Sequence, residues 1–129
     1  MTLVDTSAWI EFLRRRGADH VKNRVAAYLE LGTAAYCGPV EFELLAGARP
    51  SELSDVRQAL AFGVLLDFPP VCWQRAADLE QSLRSKGVTV PRDDVFVAAS
   101  ALHHRVLLYT NDAHFVLMRD KGSIPLQLA

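Results

Sequence analysis

Short apolar runs alternate with longer amphipathic stretches along the whole chain. Thr2-Leu3-Val4-Asp5 is an apolar run closed by an acid, as suits a buried strand. Trp9, Ile10, Phe12 and Leu13 then fall at helical spacing, with Thr6 or Ser7 able to cap and Arg14-Arg15-Arg16-Gly17 as the stop. A second helix is expected from about Asp19 to Leu31, with Val21, Val25, Tyr28 and Leu29 on its apolar face. Thr33–Cys37 reads as the second strand, broken by Gly38-Pro39, and a helix carries Phe42, Leu44, Leu45 and Ala46 to Gly47. Pro50-Ser51 opens a helix with Leu53, Val56, Leu60 and Ala61 on one face; Leu65–Phe68 is the third strand, closed by Pro69-Pro70. A long helix follows through Trp73, Ala76, Ala77, Leu79 and Leu83 to Gly87, and Val88–Val90 connects it to a helix opened by Pro91. Val106–Thr110 is the clearest strand, Phe115, Val116 and Met118 mark a short helix, and Ile124–Leu128 is a terminal strand that Pro125 assigns to an edge.

The order is βααβααβααβαβ, within one domain spanning residues 1–129. Strands alternating with helices imply an α/β fold whose parallel sheet is covered on both faces. In such a sheet the carboxyl ends of the strands share one edge, so residues distant in sequence meet there. Four acids stand where a strand reading ends or a helix reading begins: Asp5, Glu43, Asp94 and Asp112. Each has a plainer role available, as a helix cap or a solvated helical acid. Converging carboxylates repel one another unless a divalent cation neutralises them, so the set reads as a metal-dependent enzyme acting on phosphate. Asp94 lies on the small-residue stripe of its helix with Ala98 and Ala101, and Asp93 lies off it. Glu41 competes with Glu43, which Gly47 leaves uncrowded.

Hard oxygen donors suit Mg²⁺ or Mn²⁺, and no Cys/His spacing suits structural zinc. Asp5 and Asp94 are expected as the principal ligands, with Glu43 and Asp112 completing the site directly or through water. Thr6, Ser7, Thr110 and Asn111 stand beside the acids and can orient water or phosphate, or serve as caps and turns. Arg92, next to the acids of its helix, is expected at a phosphate. Arg14–Arg16 form either an RNA-facing patch or a solvated helix end. His103 and His104 lie some three turns beyond Asp94, out of reach of the same site. Trp9 and Trp73 read as core, and Cys37 as a small buried hydrophobe.

The net charge of −1 excludes a globally basic nucleic-acid binder, so any RNA affinity must come from a local patch and a metal. Half of the residues are hydrophobic, as in a globular chain. The two cysteines, Cys37 and Cys72, read as reduced cytosolic thiols; an acid five residues in argues against a secretory leader, and no apolar run approaches the roughly 18 residues of a membrane span.

Four segments carry a family resemblance. Val4-Asp5-Thr6-Ser7 with Trp9-Ile10, Glu43-Leu44-Leu45-Ala46-Gly47, Asp94-Val95-Phe96-Val97-Ala98-Ala99 and Thr110-Asn111-Asp112-Ala113-His114-Phe115 resemble, in order, the motifs of the PIN domain. They are most similar to those of the VapC-type toxin ribonucleases of prokaryotic toxin-antitoxin pairs. The resemblance covers essentially the whole chain and favours Glu43 over Glu41 and Asp94 over Asp93. It implies a PIN-like three-layer fold with a central, mostly parallel five-stranded sheet flanked by helices. It also implies a Mg²⁺- or Mn²⁺-dependent endoribonuclease of the prokaryotic cytoplasm, a cognate VapB-type antitoxin that blocks the site, and a homodimer. His114 departs from the pattern, since many members carry another Asp there. The rival readings fare less well. A response-regulator receiver wants an acidic pair after the first strand and a late lysine, and an aspartyl phosphatase wants a second acid where Ser7 stands. An RNA-binding or RNA-processing PIN module without a toxin role remains the alternative.

Overall fold

The computed structural model describes residues 1–129. Four strands form one sheet: β1 (Thr2–Val4), β2 (Ala34–Cys37), β3 (Val64–Leu66) and β4 (Leu107–Tyr109). Their order is β3-β2-β1-β4 and every pair is parallel. Thr2 stands level with Ala34 on one side and Leu107 on the other, so β1 is the central strand from which the chain departs in both directions. That reversal opens a crevice at the carboxyl ends of β1 and β4.

Seven helices cover the sheet: α1 (Thr6–Leu13), α2 (Asp19–Glu30), α3 (Gly38–Gly47), α4 (Leu53–Ala61), α5 (Pro70–Ser85), α6 (Arg92–His104) and α7 (His114–Asp120). The core draws on all of them. Leu3 and Val4 of β1 belong to one core cluster with Trp9, Val25, Ala98, Leu108 and Phe115, all fully buried. Six of the 13 residues of α6 are buried, most of them alanine or valine. Small side chains let this helix pack closely on the rest of the core while α5 lies along it. None of the helices is long and apolar enough to cross a membrane.

Gly38-Pro39 ends β2, as expected, and α3 opens at once at Gly38, with proline in the first turn, where a missing N–H costs no helical hydrogen bond. Two other expectations from the sequence change. The terminal segment is not a full fifth strand. It touches the sheet through a single parallel bridge, Leu108 to Leu128, with Leu108 N–H donating to Gln127 C=O and Ala129 N–H to Leu108 C=O. Pro125 has no N–H to extend the ladder, and Ile124 and Leu126 bury their side chains instead. Trp73 is not core: it is 55% exposed and stacks edge-on with Phe68 and Phe96 at the surface, whereas Trp9 is fully buried.

Candidate active site

Asp5 follows the last residue of β1 and is the N-cap of α1. Its backbone N–H donates to Tyr109 C=O at 3.0 Å, which extends the β1–β4 ladder by one step. Its side chain turns back on the first turn of the helix, where Oδ1 accepts from Ala8 N–H at 3.2 Å and from the Ser7 hydroxyl at 2.8 Å. Oδ2 accepts from the Thr110 hydroxyl at 2.9 Å. Thr110 also accepts the Asp112 N–H at 2.9 Å, and Ser7 accepts the Asn111 N–H at 3.0 Å. Two hydroxyls therefore stitch the end of β1 to the end of β4.

From there the acids climb outward. Asp112 Oδ1 accepts the backbone N–H of His114 at 2.8 Å, a local turn that opens α7. The His114 ring folds over this turn, with Nδ1 2.9 Å from Asp112 Oδ1 and 2.8 Å from Asp94 Oδ2. Asp94 enters from the first turn of α6, where its N–H donates to Pro91 C=O. Ligand atoms of Asp94, Asp112 and His114 all lie within 4.8 Å of one another. Glu43, from the middle of α3, accepts the Thr6 hydroxyl at 2.9 Å.

The electrostatics follow from this crowding. Burial is the main force on Asp5, which is only 2% exposed; it outweighs three hydrogen bonds to the carboxylate and pushes the pKa up to about 6. Asp94 also stands above the ordinary carboxylate range, through burial first and then Asp112 and Asp93, with the His114 hydrogen bond opposing. Glu43 is raised by burial and by the neighbouring Asp93, Asp94 and Asp5, against the Thr6 hydroxyl. His114 is raised too, mainly by its hydrogen bond to Asp94. Each acid is easier to ionise if a cation sits among them.

Beside Glu43 the surface falls into a groove of about 240 Å³ between α1, α3 and α4. Ile10, Leu13, Leu44 and Val56 supply apolar wall, and Arg14, Glu52 and Asp55 supply charge. A second depression, lined by Phe12, Leu29 and Phe62 among others, shares Leu13 and Asp55 with it.

A family model described as the PIN domain matches residues 2–121. Ribonuclease VapC11 of Mycobacterium tuberculosis is 31% identical over 119 residues, covering 89% of each chain. The chain belongs to the VapC ribonuclease family of PIN domains. Two solved structures share its fold: VapBC2 from Rickettsia felis bound to a promoter DNA fragment, and DNA-bound VapBC from Salmonella typhimurium. The first superposes with a TM-score of 0.79 at 21% identity over 99% of this chain and 96% of that one. The second has a TM-score of 0.78 at 19% identity over 99% and 96%.

In this PIN domain the four acids read from the sequence come to one end of the sheet, with Thr6, Ser7 and Thr110 hydrogen-bonded among them. Asn111 is exposed at the rim. Arg92 does not turn to them. Its guanidinium makes a two-pronged pair with Glu80 of α5, at 2.9 and 3.0 Å, because Glu80 lies within reach of the exposed side of α6. Arg92 in this position ties helix to helix. His114 is the addition: the tight cluster is Asp94, Asp112 and His114, with Asp5 and Glu43 outside it. The signal in the sequence was its place within Thr110–Phe115, beside Asp112 and before a residue that is fully buried.

Proposed function

We propose that this VapC-family PIN domain is a Mg²⁺- or Mn²⁺-dependent endoribonuclease, acting as a toxin that a cognate VapB-type antitoxin neutralises. The observation that carries the reading is the cluster of Asp94, Asp112 and His114 within 4.8 Å, beside two further acids whose ionisation burial opposes. The donor set fits a divalent cation, since it is dominated by carboxylate oxygen and lacks thiolate. Asp94, Asp112 and His114 would hold the ion, and Asp5 and Glu43 would add negative charge around it, directly or through water. A bound ion of this kind supplies Lewis acidity at the phosphate and lowers the pKa of water beside it.

The chain's own residues do the positioning. Thr110 and Ser7 donate to opposite oxygens of Asp5 and fix its carboxylate plane. Thr6 holds one oxygen of Glu43 and leaves the other open. Asn111, exposed at the rim, is the member of this set that an RNA phosphate reaches first. The exposed Arg14, Arg15 and Arg16 supply local positive charge that the chain as a whole lacks.

The groove beside Glu43 suits an amphipathic segment of the antitoxin, with apolar anchors against Ile10, Leu13 and Val56. A cationic side chain from that segment would reach the acids and occupy their field. Solved structures that share the fold are toxin-antitoxin assemblies by their own descriptions, which supports looking for such a partner here. A homodimer is the remaining expected assembly, and exposed Trp73, backed by the half-buried Phe68 and Phe96, offers it an apolar face.

The test is cleavage of RNA by purified protein in Mg²⁺ or Mn²⁺, with chelator and an identically purified Asp94→Asn protein as controls. Cleavage that needs the ion and disappears in the variant supports the reading; equal cleavage by both proteins in excess chelator overturns it. Growth arrest on expression, relieved by the antitoxin, supports the toxin role. Harmless expression of an active protein favours an RNA-processing role instead.

A further inference from the structure

We propose that His114 is a nitrogen ligand that biases this centre towards a first-row transition-metal ion, with Mn²⁺ as the probe, over Mg²⁺. The inference rests on the metal-centre reading above and adds to it which residue sets the choice of ion.

Three observations carry it. The first is distance. Nδ1 of His114 stands 2.8 Å from Asp94 Oδ2 and 2.9 Å from Asp112 Oδ1. Adjacent donors around an octahedral ion with bonds of about 2.1 Å are ~3 Å apart, so these contacts already have the length of a coordination edge. The second is proton arithmetic. Nδ1 can carry only one hydrogen, yet it faces two carboxylate oxygens at nearly equal distance. One proton serves two acceptors poorly, whereas one ion accepts all three donors. The third is preorganisation. Asp112 Oδ1 also accepts the His114 backbone N–H at 2.8 Å, and the next residue, Phe115, is fully buried in the core. The ring is thus held at the acids by its own backbone turn and by the anchor that follows it.

The chemical consequence concerns selectivity. Mg²⁺ takes oxygen ligands and gives up water reluctantly, so replacing an oxygen donor with imidazole weakens its hold. Transition-metal dications accept imidazole readily. With two carboxylates and one imidazole converging, Mg²⁺ loses more than Mn²⁺ does from the exchange of an acid for His114. An aspartate in this position would restore an all-oxygen set.

The experiment compares the wild-type protein with His114→Asp and Asp94→Asn. Calorimetry gives the affinities for Mn²⁺ and Mg²⁺, and pulsed electron paramagnetic resonance of bound Mn²⁺ reports nitrogen in the coordination sphere. In wild type we expect nitrogen modulation from one imidazole. In His114→Asp the modulation disappears and the Mn²⁺-to-Mg²⁺ affinity ratio falls on the order of tenfold. Mn²⁺ bound in wild type and lost in Asp94→Asn, but with no nitrogen modulation, leaves the metal centre standing and overturns the role of His114. So does an unchanged affinity ratio in a folded His114→Asp protein. Mn²⁺ bound no better by wild type than by Asp94→Asn overturns the metal centre itself and this inference with it. The spectrum of wild type needs no variant, so a failure of His114→Asp to fold does not shelter the proposal.

Discussion

The Thr110 hydroxyl donates to Asp5 Oδ2 at 2.9 Å across a separation of 105 residues, while the same oxygen accepts the Asp112 N–H at 2.9 Å. One side-chain atom therefore orients two of the acids. Replacing Thr110 by valine keeps the shape but strips the buried carboxylate of a donor and leaves an N–H without its acceptor. The expected cost is about 1–3 kcal/mol at neutral pH, and Thr110→Ser should recover most of it. Urea unfolding of the three proteins gives the values. Equal stability of the valine and serine variants would mean that the hydroxyl is bypassed.

The metal-free protein should become less stable as pH rises through the acid range. Asp5 has a folded pKa near 6 against an ordinary value of 3.8, so between these the folded chain binds more protons than the unfolded one. Stability is full below about pH 4 for this group and falls by about 3 kcal/mol by the time pH passes 6. Asp94 and Glu43 are raised in the same direction and add to the slope. His114, also raised, contributes stability that is lost at higher pH, as it gives up its proton. Thermal unfolding in chelator from pH 4 to 8 should show this decline, and Asp5→Asn should flatten the lower part of it. A stability that rises over pH 4 to 6 would contradict the burial of Asp5 as an uncompensated acid.

Asp94 and Asp93 are neighbours with different surroundings. Asp94 is half-buried against His114, whereas Asp93 is exposed. Asp94→Asn should lower RNA cleavage by about a hundredfold or more while leaving the fold intact, and Asp93→Asn should cost far less. Single-turnover rates at saturating Mn²⁺ measure the difference. Comparable losses at both positions would remove the distinction.

Gly47 offers a test of the groove. A Cβ added there meets nothing within 4 Å, and Gly47 lines the depression beside Glu43. Gly47→Ala should therefore fold normally, keep its cleavage activity and weaken the hold of the antitoxin. Titration of inhibition by the antitoxin would show a weakened partner with unchanged uninhibited rate. Unaltered inhibition would move the partner elsewhere.

The helices and the sheet edge were legible because their signals are periodic and local. Asp5, Glu43, Asp94 and Asp112 were legible because each stands at the junction of a strand and a helix, or within a turn of one. What the pattern could not supply was orientation. Arg92 stands two residues before Asp94, but two residues along a helix turn the side chain by roughly 200° to the opposite face, and Glu80 of α5 captures it. Trp73 sits at helical spacing with Ala76 and Leu83, which are buried, yet its ring lies outside with Phe68 and Phe96. An apolar residue beside the stripe looks the same in one dimension as one on it. The terminal strand was misjudged for a related reason. Ile124, Leu126 and Leu128 alternate as a strand would, but the segment joins the sheet only through the bridge at Leu128, and the Ile124 N–H donates to Met118 C=O of α7 instead.

Asp5 does two jobs with one carboxylate. Its Oδ1 closes the first turn of α1 through Ala8 N–H, and the same group lies at the base of the acid cluster. Asp94 has no such duty, since the start of α6 is formed by the Asp94 N–H and Pro91 C=O without its side chain. Loss of activity after a change at Asp5 thus mixes chemistry with a loosened helix. An inactive but intact form of the protein, fit for capturing RNA or a partner, is to be made at Asp94.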